Sequence, residues 1–407
     1  MAHHAPKSFT REQVTLPQGS LFGKLPIIGG ILAVVGLALT YVLGQADKAS
    51  MYTSYLVSFM YWLSIALGGY FFVSIFFLSR SAWNVGIRRI GENAMSTLPV
   101  FAILFVPLFL GAHELYHWTH ERLPGQDPIL DWKQGYFTTG FYYTRAVVYF
   151  VIWTLFSAIF YRLSTKQDET GDDSITKKLQ TLGAPAVAAG ALTATFAAFD
   201  WIMSTDPHWF STMFGVYFFA GCLVSIMAFI CLIAIALRAS NATNGAITVE
   251  HLHGAGMLMF GFNIFWTYIA FSQFILIWYA NIPEETNWFA YRYTDGWECI
   301  SLALLFGHFV LPFFFLMPRA NKRNPVTLGI GAAWLLVMHF VDLYWAIKPS
   351  VMHAHGVHGV GFNVVDILAF VGIGGVFLAV VGYRMKTKAL VPFRDPRLPE
   401  SMKYSNM

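Results

Sequence analysis

His113, Glu114 and His117 spell HExxH, a spacing that on a helix sets two imidazoles one turn apart for zinc, with the carboxylate as general base. No conventional third ligand accompanies them, and His120, three residues further on, is expected to leave the ligand geometry of the pair. The triplet therefore reads as a polar cluster at a membrane mouth, with no metal assigned to the chain. A second set of chemically capable residues is scattered through apolar runs: Asp200, the group Glu250, His251 and His253, then Glu298, His308, His339 and Asp342. A charge near the centre of a bilayer costs roughly 2.5 to 3.5 kcal/mol on insertion scales, so such residues face a bundle interior, pair, or serve a proton or substrate path. Taken by depth they form two partial ladders. One runs from Glu250, His251 and His253, with Asn263, toward His308. The other runs from His339 and Asp342, three residues apart on one helical face, past Asp200 or Glu298. The competing reading for each is an interhelical hydrogen bond and nothing more.

The elements that must position these side chains are membrane helices. Ten long apolar stretches, near 25–44, 55–79, 98–118, 142–161, 183–203, 213–237, 251–280, 298–317, 327–347 and 362–383, mostly have the ~20 residues needed to cross a bilayer as helix. The first reads as a retained helix, since it lacks a small-residue cleavage site. Of 26 Lys and Arg, 20 fall on the N-terminal tail and every second connection after it. Five (Lys48, Arg122, Lys133, Arg292 and Lys348) fall on the opposite side, and Arg145 lies just inside the fourth run. That asymmetry predicts both termini in the cytoplasm, with residues 1–24 and 384–407 as cytoplasmic tails around a membrane domain at 25–383. The inner-side segment from Arg80 to Glu92 reads as an amphipathic stretch lying in the headgroup plane.

Composition narrows the function. With 56% hydrophobic and 12% charged residues there is little material for a soluble domain. Cys222, Cys231 and Cys299 lack the spacing for an iron–sulfur cluster or a c-type haem, so the chain is expected to hold no cofactor of its own beyond a possible quinol. The charge of +4 follows topology and gives no ground for nucleic-acid binding. No glycine-rich phosphate loop occurs in a strand–helix context. The outer loops are aromatic, acidic and rich in His, which suits an interfacial belt and, beyond that, docking to extramembrane subunits.

The runs FAAFDWIMSTDPHWFSTMFGVYFFAG, SAWNVGIRRIGENAMSTLPVFAILFVPLFLG, HELYHWTH and EHLHGAGMLMFGFNIFWTYIAFSQFILIWYANIPEETNWF resemble the ActF family, the second large membrane subunit of bacterial alternative complex III, within the NrfD/polysulfide-reductase membrane-subunit superfamily. The resemblance covers essentially the whole chain. It implies an all-α integral membrane fold of ten helices, two adjoining four-helix bundles plus flanking helices. It also implies a place in the bacterial inner membrane beside multihaem and monohaem cytochrome c subunits, an iron–sulfur subunit, a sister NrfD-like membrane subunit and small anchors, with a terminal cytochrome oxidase as a further candidate partner. Haem c and iron–sulfur clusters would reside in those partners. The expected role is proton transfer and structural support in a quinol:cytochrome c oxidoreductase, without a redox centre in this chain. Direct quinol oxidation is the alternative, with His113 and Glu114, or His339 and Asp342, as the acid–base pair. An autonomous transporter would need repeats and paired interrupted helices around a midplane site; Pro99 and Pro107 interrupt the third span, and no corresponding pair occurs elsewhere. An intramembrane zinc protease would need the missing ligand.

Overall fold

In the computed structural model, residues 9–17, 19–121, 123 and 125–406 are described, so Lys7 and Arg122 of the charge pattern lie outside the described residues. Among the described residues ten helices are long and apolar enough to cross a membrane: α1 Leu21–Gly44, α2 Lys48–Leu78, α3 Val85–Leu110, α4 Thr139–Thr170, α5 Ser174–Thr205, α6 Phe214–Ala239, α7 Val249–Ala280, α8 Trp297–Leu316, α9 Pro325–Ala354 and α10 Val364–Thr387. No strand occurs among the described residues. The chain is a multi-pass, all-helical membrane protein.

Local chemistry sets the helix ends. Asp47 caps α2 by accepting the Ser50 N–H, and Asn324 caps α9 with Pro325 at its first position. Asn363 accepts from Val365 and Asp366 at the start of α10, and Gly171, at φ +68°, closes α4 in the left-handed region. Nine of the expected spans are present, several of them longer at one end than the apolar run alone because polar residues can continue a helix past the hydrocarbon; the third, expected over 98–118, is displaced to Val85–Leu110 with only short turns beyond it.

Helices α2 and α6 form the middle of the molecule. Helix α2 packs on α3, α5, α6, α9 and α10, and α6 packs on α2, α5, α7 and α9. Helix α4 joins α3 and α5, while α8 joins α7 and α9. Helix α1 lies at the periphery, held chiefly by α10. There a Cβ on Gly36 would lie 2.6 Å from Gly372 Cα, so two small residues let the backbones approach.

One expectation is overturned. The segment from Arg80 to Glu92 does not lie in the headgroup plane: from Val85 onward it is the first part of α3, and every residue from Val85 to Met95 is buried. Its polar face is satisfied inside the protein. Arg88 contacts Glu92 at 3.0 Å and Asp395 at 2.6 Å, and Arg89 contacts Glu92 at 2.9 Å and Asp168 at 2.5 Å. Ser164 donates to both Glu92 oxygens at 2.9 Å. An amphipathic pattern records only that one face meets polar groups; here those groups belong to α4 and the C-terminal segment.

Helix α8 departs from α-geometry over Leu304–Val310, where the turn widens to a π-helix. Pro312 has no N–H for the carbonyl of His308 and its ring crowds that carbonyl. The freed His308 oxygen instead accepts from Asn263 Nδ2 at 3.0 Å, and Gly307 O accepts from Trp334 Nε1 at 2.7 Å.

Candidate functional site

Six carboxylates are buried among the described residues: Glu92, Asp168, Asp200, Asp342, Asp366 and Asp395. Five of them meet a cation. Glu92, Asp168 and Asp395 belong to the Arg88–Arg89 network described above. Asp200 takes a fork from Arg145, Nε to Oδ2 at 2.8 Å and Nη2 to Oδ1 at 2.9 Å, and also accepts from the Tyr136 and Tyr149 hydroxyls, each at 2.7 Å. Asp366 takes Lys348 Nζ at 2.7 and 2.8 Å and the Ser54 hydroxyl at 2.6 Å.

Asp342, 2% exposed on α9, has no ion pair among the described residues. Its Oδ1 accepts from the Tyr217 hydroxyl of α6, and its Oδ2 accepts from Trp266 Nε1 of α7 at 3.1 Å. Both donors are neutral. A carboxylate in low dielectric that meets only neutral donors is far nearer to balance between its two protonation states than one held by a guanidinium.

Two imidazoles lie in the same region. His339, one turn before Asp342, contacts Ser64 Oγ at 2.8 Å, and that hydroxyl donates its proton to Tyr61 O at 2.6 Å. Ser64 must therefore accept, which places the hydrogen of His339 on Nε2 and leaves Nδ1 bare, buried and without a hydrogen-bond partner. Gly221 makes room for the ring, since a Cβ there would lie 2.8 Å from His339 Cε1. His308, on the π-turn, stacks on Trp266 at a centroid distance of 3.7 Å, and neither of its ring nitrogens has a hydrogen-bond partner. Trp266 thus touches both Asp342 and His308.

In front of Asp342 a cavity of about 550 Å³ opens between α7, α8 and α9, with Tyr217, Trp266, Gln273, Phe289 and Trp345 on its walls. Its lining includes Tyr268, Phe271 and Leu305, each at least half exposed on the apolar outer surface of α7 and α8. An apolar cavity with a few converging polar groups at its back is the usual form of a small-molecule site.

The other residues singled out from sequence lie elsewhere. Asp200 is closed into its Arg145 pair on the α4–α5 side and makes no hydrogen bond to His339 or Asp342. Glu298 is exposed and accepts from Gly296 N at 2.9 Å, a local cap. Glu250 pairs with Arg323, its Oε2 accepting from Arg323 Nη1 at 3.0 Å and from Asn406 N at 3.2 Å. His251 Nδ1 accepts from Thr248 N at 3.0 Å, so its hydrogen sits on Nε2 and is donated to Ser401 Oγ at 2.9 Å. That imidazole is a pin between the start of α7 and the C-terminal segment, with both nitrogens in use. His253 contacts Asn406 Nδ2 at 3.3 Å. The cytoplasmic ladder is therefore not continuous through these side chains.

The HExxH triplet is not on one helix. The helical turn ends at Leu115, Tyr116 is extended, and His117 begins a 3-10 turn. Because the chain bends there, His120 returns to stack on His113 at 4.2 Å and its Nε2 contacts His113 O at 2.9 Å, contrary to the expectation that it would point away. Among the described residues no group of three or more His, Cys, Asp or Glu has the arrangement to hold a metal ion.

Tyr217 and Trp266, which define the environment of Asp342, were not singled out from sequence. An aromatic on a membrane helix carries no mark of its partner. Arg88, Arg89 and Glu92 did carry a signal, the i, i+3 and i, i+4 spacing of opposite charges beside an apolar run.

The fold and site define a multi-pass helical membrane protein with an interior acid, without an ion pair among the described residues, in a cavity that opens on the apolar outer surface. A scan of protein-family models finds none that matches the chain, and a search of curated proteins finds no match either.

Proposed function

We propose that this chain is a membrane subunit of a respiratory quinol:cytochrome c oxidoreductase of the alternative complex III type, in the bacterial inner membrane with both termini cytoplasmic. It holds no redox centre and contributes a proton path and structural support, beside partners that carry haem c and iron–sulfur clusters. The resemblance of its motif runs supports the family. The closed packing of α2–α5 and of α6–α9, joined through α2 and α6 with α1 and α10 outside, supports two adjoining four-helix bundles. The 20 to 5 distribution of basic residues supports the orientation.

The observation that carries the proton role is the contrast among the buried carboxylates: five are fixed by cations and Asp342 is held by a phenol and an indole. With the bare Nδ1 of His339 one turn away, the interior offers two groups able to take up and pass on a proton. Asp342→Asn keeps the shape and one acceptor while removing the titratable group. In complexes reconstituted into vesicles, this variant is expected to assemble while its quinol oxidation slows and its proton-to-electron ratio falls. An assembled variant with unchanged rate and ratio overturns the reading.

The cavity itself favours a second reading, direct quinol binding. A quinol losing two electrons must also lose two protons, and Asp342 at the back of an aromatic, lipid-accessible pocket is suited to accept one; the electrons would pass to a partner's centre. His113 and Glu114 are less suited, His113 being exposed on the short helical turn Ala112–Leu115. Leu305→Trp, which narrows the mouth, raises KM for quinol if this reading holds and leaves it unchanged if only protons use the site.

A further inference from the structure

Arg292 lies on the connection between α7 and α8, in the turn Tyr291–Tyr293, and is fully buried. Its guanidinium lies 3.4 Å over the Trp288 ring and donates through Nε to Trp345 O at 3.1 Å, through Nη1 to Trp288 O at 2.5 Å, and through Nη2 to Ala346 O at 2.8 Å and Ser350 Oγ at 3.2 Å. All four acceptors are neutral. The other buried arginines, Arg88, Arg89 and Arg145, each meet a carboxylate. Asp342 and Arg292 are therefore the buried acid and the buried guanidinium that lack a direct counter-ion among the described residues, and Tyr217 relates them: it donates to Asp342 and lies within electrostatic reach of Arg292.

The position of Arg292 is that of a partition. Trp345, whose carbonyl it holds on one side, lines the Asp342 cavity. Ser350, held on the other side, lines a second cavity of about 280 Å³ at the histidine-rich end of the molecule, together with Asp206, Tyr291, His353, His208 and His117. The Tyr291 hydroxyl contacts Asp206 Oδ2 at 3.5 Å, and the His353 ring stacks on Tyr291 at 4.4 Å. His353 is exposed, so this cavity reaches the surface.

We propose that the second cavity is the outward proton exit for Asp342, with Arg292 as a cationic partition between them and with Asp206 and His353 as the accepting groups. The proposal rests on the reading of Asp342 as a proton carrier. A fixed positive charge beside Tyr217 favours the ionised acid on its inner side and opposes the return of a proton from its outer side. Burial pushes the Arg292 guanidinium below its ordinary value, to about 9, with Asp206, Tyr217 and Tyr291 opposing that shift, and at neutral pH it stays charged. The groups that face Asp342 are Tyr217, Trp266 and, on its own helix, His339. Those facing Arg292 are Asp206, Tyr217 and Tyr291. Asp206 also faces Lys133, His353 faces His358 at a ring distance of 5.7 Å, and His208 is held by Asp127 at 2.6 Å.

The test is an infrared titration of the Asp342 carboxylic-acid band, assigned by its loss in Asp342→Asn, in the complete complex sealed in vesicles with pH changed on the outer side alone. In the wild type the band is expected to follow outer pH. Asp206→Asn combined with His353→Gln is expected to slow that response about tenfold. Arg292→Gln is expected to move the midpoint to higher pH by about one unit, tenfold in proton concentration, while Arg292→Lys retains most of the wild-type midpoint. A band that follows only inner pH overturns the proposal, as does an unchanged response in the assembled double variant. If Arg292→Gln does not assemble, the double variant decides alone, because neither of its side chains carries an interhelical ion pair. The outcomes separate the two readings: an Asp342 that never titrates defeats the proton-carrier role and this exit with it, whereas an Asp342 that titrates indifferently to Asp206, His353 and Arg292 defeats only the exit.

Discussion

Trp266 donates its indole N–H to Asp342 Oδ2 at 3.1 Å while its ring lies 3.7 Å from that of His308, so a residue of α7 stands between the acid of α9 and the imidazole of the π-turn in α8. Each of the three contributes through a different helix, and the cavity in front of Asp342 is lined by residues of those same helices. The same acid placed against Lys or Arg would be another structural tie, as Asp366 is against Lys348.

Asp200 and Arg145 form such a tie, and they should behave as one. Asp200→Ala leaves a buried guanidinium unpaired and is expected to cost about 3 to 5 kcal/mol, whereas Asp200→Ala with Arg145→Met is expected to recover most of that loss. Thermal unfolding of the purified complex reads both. Variants that assemble should keep the wild-type proton-to-electron ratio; a selective loss of proton release in Asp200→Asn would return this residue to the path.

The seam between α1 and α10 depends on close backbone approach. Gly36→Leu places a side chain where Gly372 Cα already stands, 2.6 Å from the first added carbon. Detachment of α1 is expected, seen as loss of cross-linking between a cysteine pair placed at the α1–α10 contact, with α2–α9 still folded. Preserved cross-linking would mean that the seam tolerates a gap.

The charge asymmetry assigns sides, and labelling can check it. Cys299 is exposed while Cys222 and Cys231 are buried, so a Cys299→Ser background is quiet toward impermeant thiol reagents. Asp172→Cys, exposed between α4 and α5, and His358→Cys, exposed before α10, should react from opposite sides of sealed vesicles. Reaction of both from one side contradicts the topology.

On the histidine-rich face Asp127 caps a short helix, accepting from Leu130 N at 3.1 Å, and also meets His208 Nε2 at 2.6 Å. Partial burial raises its pKa, but the Leu130 N–H and His208 outweigh that and hold the carboxyl below its usual range. A depressed pKa means that the ionised form is favoured by the fold. Its contribution is therefore complete above the ordinary carboxyl value near 4 and is lost as pH falls through the lower native value. Backbone exchange over residues 127–132 should rise at acid pH in the wild type and be raised at neutral pH in Asp127→Ala. Equal protection in both would remove the cap's role.

Ten helices and most of their approximate ends were legible in the sequence, because hydrocarbon thickness and helix rise act on each segment separately, and the placement of Lys and Arg predicts a side for each connection. That Asp342, His339 and His308 lie within long apolar helices was legible for the same reason. What those residues touch was not. Asp200 and Asp342 look alike in a chain of letters, each a lone acid in an apolar run. Only the packing of α4 against α5 brings Arg145 to the first, and only the meeting of α6, α7 and α9 brings Tyr217 and Trp266 to the second. The expectation that Arg80 to Glu92 lies in the headgroup plane fails on the same ground: its polar face meets protein, because α4 and the C-terminal segment pack against it. Arg292, counted among the outer-loop basic residues, proved to be fully buried. Hydropathy and charge are properties of one segment in its solvent, whereas whether a buried acid is paired or free to titrate depends on residues tens to hundreds of positions away that only the tertiary structure brings within 3 Å.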